Sequence, residues 1–277
     1  MTMQAEYQSL DNLLTATLGQ ILSYHRGLED HPASSTQRVI NTSQDLPSKG
    51  IGGLAAAKEF TDRFSSYMSG SPGSRYYGFV TGGSTPAALA GDWLASALDQ
   101  NVASPGDSIS VAITEQTLGW LKQLFNLPQE EFQGAFTTGA TGANFACLLA
   151  AREWAGEQVG YNIAQKGLNG APPISIYSAC PHASFVKVAR FTGLGQDSIK
   201  AVDRLDGTEA MDPAALEAAL EAGTKDEQKI VCASAGTVTT TAFDDLTAIA
   251  AICRHYNAWL HVDGAFGLFA RTVPELA

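Results

Sequence analysis

Cysteine is scarce in this chain of 277 residues: there are four, Cys147, Cys180, Cys232 and Cys253. They are widely spaced and form no C-x-x-C pair. This argues against a disulfide framework or a thiolate metal site, and reads as buried small hydrophobes in a reducing compartment. Basic residues are also few, 17 Lys plus Arg against 28 Asp plus Glu, for a net charge of −11. A nucleic-acid or anionic-membrane partner needs a basic footprint, so neither is expected. No window approaches roughly 18 uninterrupted apolar residues, so no membrane span is expected. The opening MTMQAEYQSLDNLL carries acids and polar residues where a secretory signal needs a basic start and an apolar run. What the chain does have is 45% hydrophobic residues, enough for a large core.

Residues 3–28 predict a helix, with Leu10, Leu13, Leu14, Leu18, Ile21 and Leu22 at helical spacing. Residues 29–53, broken by Pro32, Pro47, Gly50, Gly52 and Gly53, predict a loop or arm. A second helix is expected near Leu54–Met68, then an irregular segment, SGSPGSRYYGFVTGGSTP. From Pro86 the pattern becomes regular. Helices near 86–100 and 110–126 precede a strand GAFTTG, a helix over 142–155, a strand ISIYSA and a helix over 183–191. Next come a helix over 212–222 with Asp212 as N-cap and Pro213 at its first position, a strand KIVCASAG, a helix over 244–256 capped by Asp244, and a strand AWLHV. Short, continuous apolar strands alternating with helices imply an α/β fold with a mostly parallel sheet covered on both faces. Ligands of such sheets bind beyond the carboxyl ends of the strands.

Four strand ends therefore carry the chemistry. TTGATGANF, from Thr137, is a small polar turn running into a helix, and backbone N–H groups there can cradle an anion. It lacks the G-K-[ST] of a nucleotide loop and the third glycine of a dinucleotide fingerprint, so a single phosphate suits it better. The competing reading is an ordinary tight turn. His182 follows a strand in ACPHASF, where a flat imidazole can stack on a planar ring or simply cap the next helix. SAGTVTTTAFDD places Thr237, Thr239, Thr240 and Thr241 after a strand, as ligand-bonding or merely solvated hydroxyls. In HVDGAFG, Asp263 ends an apolar strand, a costly place for an unpartnered acid. A basic ring nitrogen would be its natural partner through a charge-assisted hydrogen bond, and a protonated pyridine is an electron sink. A metal-ligand or helix-capping Asp are the other readings. His261 is expected to point to the opposite face of the strand, which weakens the metal option. Phosphate cradle, stacking partner, hydroxyls and ring-nitrogen acid together point to pyridoxal 5′-phosphate.

From about Arg75 to Phe269 the chain resembles the group II pyridoxal-phosphate-dependent amino-acid decarboxylases, the family of aromatic-amino-acid, glutamate and tyrosine decarboxylases. The segments that carry the resemblance are RYYGFVTGGSTPAALAGDWLASAL, FTTGATGANFACLLAAR, PHASFVKVARFTGLG, AGTVTTTAFDDL and, most specifically, WLHVDGAFG. The resemblance implies an aspartate-aminotransferase-like (fold type I) large domain, residues 71–277, behind a helical N-terminal arm, residues 1–70. It implies Ala140 and Thr141 at the phosphate, and His182 stacked on the ring. Thr237 and Thr239 would hold the cofactor, Asp263 the pyridinium nitrogen, and Ala265 would lie against the ring face. Phe79 and Thr81 would line the substrate pocket. His182 and Asp263 are the expected catalytic residues.

One departure is large. The family's Schiff-base lysine lies in an H-K pair downstream of this Asp, and none of the lysines here has that context. The sequence thus resembles a piece truncated before that lysine, with the C-terminal small domain missing. The implied reaction is decarboxylation of an L-amino acid to an amine and carbon dioxide. The chain by itself is expected to be inactive. A homodimer with the leucine-rich helix at 10–22 as an arm, and a cytoplasmic location, are the accompanying expectations. The alternatives are another fold-type-I enzyme, an aminotransferase or carbon–carbon lyase, and a non-catalytic cofactor-binding chain.

Overall fold

A computed structural model describes residues 2–35, 48–79, 81–101, 104 and 106–275. The expected loop over 29–53 lies partly outside them, at 36–47. The chain divides into two compact units, Met1–Gln100 and Asn101–Ala277.

The first unit is helical: α1 (Met3–Tyr7), α2 (Leu10–Arg26), α3 (Gly53–Phe64) and α4 (Pro86–Leu98). The single helix expected over 3–28 is broken between α1 and α2. There the Ser9 hydroxyl donates to the carbonyls of Ala5 and Glu6, the local bonding by which serine competes with helix continuation. The leucine stripe of α2 is not a core: Leu10, Leu14, Leu18 and Leu22 are all exposed.

The second unit opens with α5 (Ser110–Leu124), α6 (Ala140–Glu157) and the short α7 (Ile163–Lys166). It then alternates: β1 (Ile174–Ser178), α8 (Ala183–Phe191), β2 (Ile199–Ala201), α9 (Pro213–Ala222), β3 (Gln228–Ser234), α10 (Leu246–His255) and β4 (Trp259–Asp263). The strands form one sheet in the order β2-β1-β3-β4, every pair parallel. Asp212 caps α9 as expected, accepting from the Ala214 N–H at 2.9 Å, with Pro213 in first position. Strand alternation sorts the core into two layers. Ile176, Ile230 and Cys232 pack with Leu148, Phe185 and Val188 of α6 and α8. Tyr177, Val231 and Ala233 pack on the other face with Leu216, Leu220 and Ile249 of α9 and α10.

Several expectations are corrected. GAFTTG is not a strand: residues 132–137 have no regular structure, and Phe136 is exposed. An apolar run becomes a strand only where another strand takes its backbone bonds, and no described strand pairs with it. Asp244 does not cap α10; Asp245 does, accepting from the Ala248 N–H at 2.9 Å. β2, only three residues long, carries too little pattern to be read. The cysteines are all free, but only Cys232 and Cys253 are buried; Cys147 is exposed and Cys180 intermediate.

Candidate active site

Register brings the strand ends level. Ile176 of β1 pairs with Ile230 of β3, and Ser234 at the end of β3 pairs with Asp263 at the end of β4. The loops that follow therefore open at one edge of the sheet, beside the start of α6. They enclose a cavity of about 310 Å³ whose lining includes Ala140, His182, Thr237, Thr239, Asp263 and Ala265. That volume suits a single-ring ligand, at the small end of ligand sites.

Ala140 is the first residue of α6. It follows Gly139 at φ 135°, a backbone conformation that favours glycine. No side chain caps this helix, so the N–H groups of its first turn remain available to an anion. Thr141 lies beside Ala140 in that turn, but its side chain is exposed and it does not line the cavity.

His182 is the N-cap of α8. Its Nδ1 faces the Ser184 N–H at 3.2 Å and the Ser184 hydroxyl at 2.7 Å. Two donors on Nδ1 fix the ring's orientation and leave Nε2 to carry the proton of the neutral ring. The ring itself is exposed.

Thr237 is buried, and its hydroxyl donates to Glu209 while accepting from the Ala242 N–H at 3.1 Å. Thr240 also donates to Glu209, at 2.7 Å. These hydroxyls hold the Glu209 carboxyl below the usual carboxylate range. The proton expected to serve a ligand from Thr237 is thus directed at Glu209. Thr239 is exposed at the cavity wall.

Asp263 closes β4. One carboxylate oxygen accepts from the Ala265 N–H at 3.2 Å and the other from the Asn144 amide at 3.2 Å. Each oxygen keeps a free lone pair. Asn144, 5% exposed, reaches Asp263 from α6, and its amide oxygen lies 3.0 Å from Nε2 of His261. His261 therefore shares the face of Asp263, contrary to expectation, because residues two apart in a strand point the same way. Burial lowers the basicity of its imidazole, opposed in part by the Asp263 charge.

Phe79 and Thr81 belong to the first unit and are exposed. Glu209, Asn144 and Cys180 were not anticipated. Asn144 left one trace, a poor helix former among the apolar residues of GANFACLLAA. Glu209 left none, since its partners lie about thirty residues away.

The donor set fits a phosphorylated pyridine: free helix N–H groups, a flat imidazole, small residues after β4 and an acid held by neutral donors. Comparison with known proteins agrees. Residues 69–275 match the family model described as "Pyridoxal-dependent decarboxylase conserved domain". Tryptophan decarboxylase 1 of Oryza sativa subsp. japonica is 30% identical over 217 residues, 72% of this chain and 41% of that protein. Cysteine sulfinic acid decarboxylase of Rattus norvegicus is 31% identical over 210 residues, 73% of this chain and 41% of that protein. The structure of Oryza sativa TDC with PLP and tryptamine superimposes with a TM-score of 0.85 at 24% identity, covering 97% of this chain and 60% of that one. Mouse CSAD in apo form gives a TM-score of 0.77 at 25% identity, covering 95% and 56%. The chain spans about half the length of the curated relatives it matches.

Proposed function

Since the chain belongs to the pyridoxal-dependent decarboxylase family, we propose that its second unit holds pyridoxal 5′-phosphate for decarboxylation of an L-amino acid to an amine and carbon dioxide. The observation that carries this reading is Asp263, at the end of β4, in one cavity with Ala140 and His182. When bound, the cofactor supplies a protonated ring that withdraws the electron pair left by the departing carboxylate. The residues of this chain prepare that chemistry. The first turn of α6 offers N–H groups to the phosphate. The fixed imidazole of His182 covers one ring face. Asp263 keeps a proton on the ring nitrogen, and Ala265 leaves room for a flat ring. Thr237 and Thr239 wall the site, Thr237 by acting through Glu209.

Phe79, Thr81 and Thr141 stay substrate or phosphate candidates by resemblance alone. A homodimer is supported by the apolar groove of the first unit, where Leu18, Leu22, Leu89, Trp93 and Leu94 meet. A cytoplasmic site is supported by four free thiols. No described helix is long and apolar enough to cross a membrane.

The test is titration of the purified chain with pyridoxal 5′-phosphate, followed by absorbance, beside Asp263→Ala. Loss of a charge-assisted bond of about 1.5–3 kcal/mol should weaken binding about ten- to a hundred-fold. Equal affinities would overturn the assignment.

A further inference from the structure

Behind the cavity, the layer between the sheet and helices α6 and α8 is mostly apolar, and its buried polar side chains include Asn144, His261 and Ser178, the last donating to the Cys232 carbonyl at 2.7 Å. Leu148, Phe185, Ile230 and Cys232 build it, and Asn144 and His261, each 5% exposed, are set among them. Neither lines the cavity. Burying an amide and an imidazole is costly unless both are hydrogen-bonded, and here they bond to each other and to Asp263. A carboxylate can only accept. The Asn144 amide nitrogen must therefore face Asp263, at 3.2 Å. Its oxygen is then turned to His261, 3.0 Å away, and Nε2 must carry the proton. The chain of bonds runs one way, from the His261 N–H to the Asn144 oxygen, and from the Asn144 amide to the Asp263 carboxylate. If the amide flipped, its oxygen would face a carboxylate oxygen. The His261 donor holds it against that flip, and the Phe185 ring, with its centroid 5.0 Å from that of His261, limits rotation of the imidazole. The second Asp263 oxygen is held by the Ala265 N–H. Both donors are neutral, so they fix the carboxylate without cancelling its charge.

We infer that His261 is a positioning residue which, through Asn144, aims the ionised carboxylate of Asp263 at the cofactor's ring nitrogen. This rests on the reading of Asp263 given above. His261 never touches the ring; it sets the direction and availability of the group that does.

The experiment uses the 277-residue chain with pyridoxal 5′-phosphate labelled with ¹⁵N in the ring, at one fixed pH. Four proteins are compared: parent, His261→Gln, His261→Phe and Asp263→Ala. Gln places an N–H where Nε2 donates, so His261→Gln should keep the protonated ring-nitrogen resonance and the parent affinity. His261→Phe fills the space without the donor; its resonance should move toward the unprotonated value and its Kd rise about five- to tenfold, one neutral hydrogen bond's worth. An unchanged His261→Phe beside a weakened Asp263→Ala would overturn the relay and leave the Asp263 reading standing. An unchanged Asp263→Ala would instead overturn that reading, and the relay's purpose with it. A second measurement needs neither variant nor ligand. In the chain labelled with ¹⁵N-histidine, His261 should show the Nε2–H tautomer, and finding Nδ1–H would overturn the relay.

Discussion

Loss of Asp244 should be felt widely although it does not line the cavity. It is 7% exposed. One carboxylate oxygen accepts from the Met211 N–H at 2.7 Å and the other from the Ser234 N–H at 2.7 Å. Its own N–H donates to the Ser234 carbonyl at 3.0 Å. Asp244 thus ties the end of β3 to the segment carrying Glu209, and both Ser234 and Glu209 wall the cavity. Asp244→Ala removes two charge-assisted bonds of about 1.5–3 kcal/mol each. At Met211, 1% exposed, no water replaces the acceptor and the full loss applies. Ser234 is half-buried at the cavity wall, so water can take its N–H and the loss there falls to about 1 kcal/mol. The sum is about 2.5–4 kcal/mol, a large part of the roughly 5–15 kcal/mol that holds a domain folded. Asp244→Asn keeps one acceptor but turns an NH₂ group toward the other N–H, and should recover only part of this. Urea unfolding can be followed by the fluorescence of Trp154 and Trp259, whose rings lie 5.7 Å apart in this unit. A fall in midpoint at constant slope is expected. An Asp244→Ala chain within about 1 kcal/mol of the parent, at unchanged slope, would refute the reasoning.

The remaining predictions use the titratable groups. With an aromatic disulfide reagent at mildly alkaline pH, Cys147 should react first and Cys180 next, while Cys232 and Cys253 wait for unfolding. Burial pushes the Cys253 thiol up to about 11 and raises Cys232 further, so four equally fast thiols would contradict the packing. His261 has its folded-state basicity lowered by burial, so the unfolded chain takes the proton more readily. Its contribution to stability is therefore present above the ordinary value of 6.5 and is lost as pH falls below it. Unfolding free energies measured from about pH 7 to pH 5 should slope less in His261→Gln than in the parent; identical slopes would sink this assignment.

The chain exposes in its sequence what is local. β1, β3 and β4 are apolar runs bounded by polar or small residues, so their ends, and with them His182 and Asp263, could be located without coordinates. The cap at Asp212 and the start of α6 are equally local. GAFTTG misled because an apolar run states only that a segment can pair, not that another strand lies beside it. Asp244 and Asp245 are neighbours of one chemistry, either able to cap α10. The choice falls to Met211 and Ser234, whose N–H groups take Asp244 from 33 and 10 residues away. His261 was misread onto the opposite face, although two positions before Asp263 in a strand means the same face. Its partner was not legible, since Asn144 is 117 residues from His261 and 119 from Asp263. The contrast has a physical source. An atom that meets a ligand must stand at an element's end, and ends are written in short patterns. An atom that aims it must be buried, where any element packed on that face can supply the donor. Sequence reading therefore reaches Asp263 and stops one hydrogen bond short of what holds it.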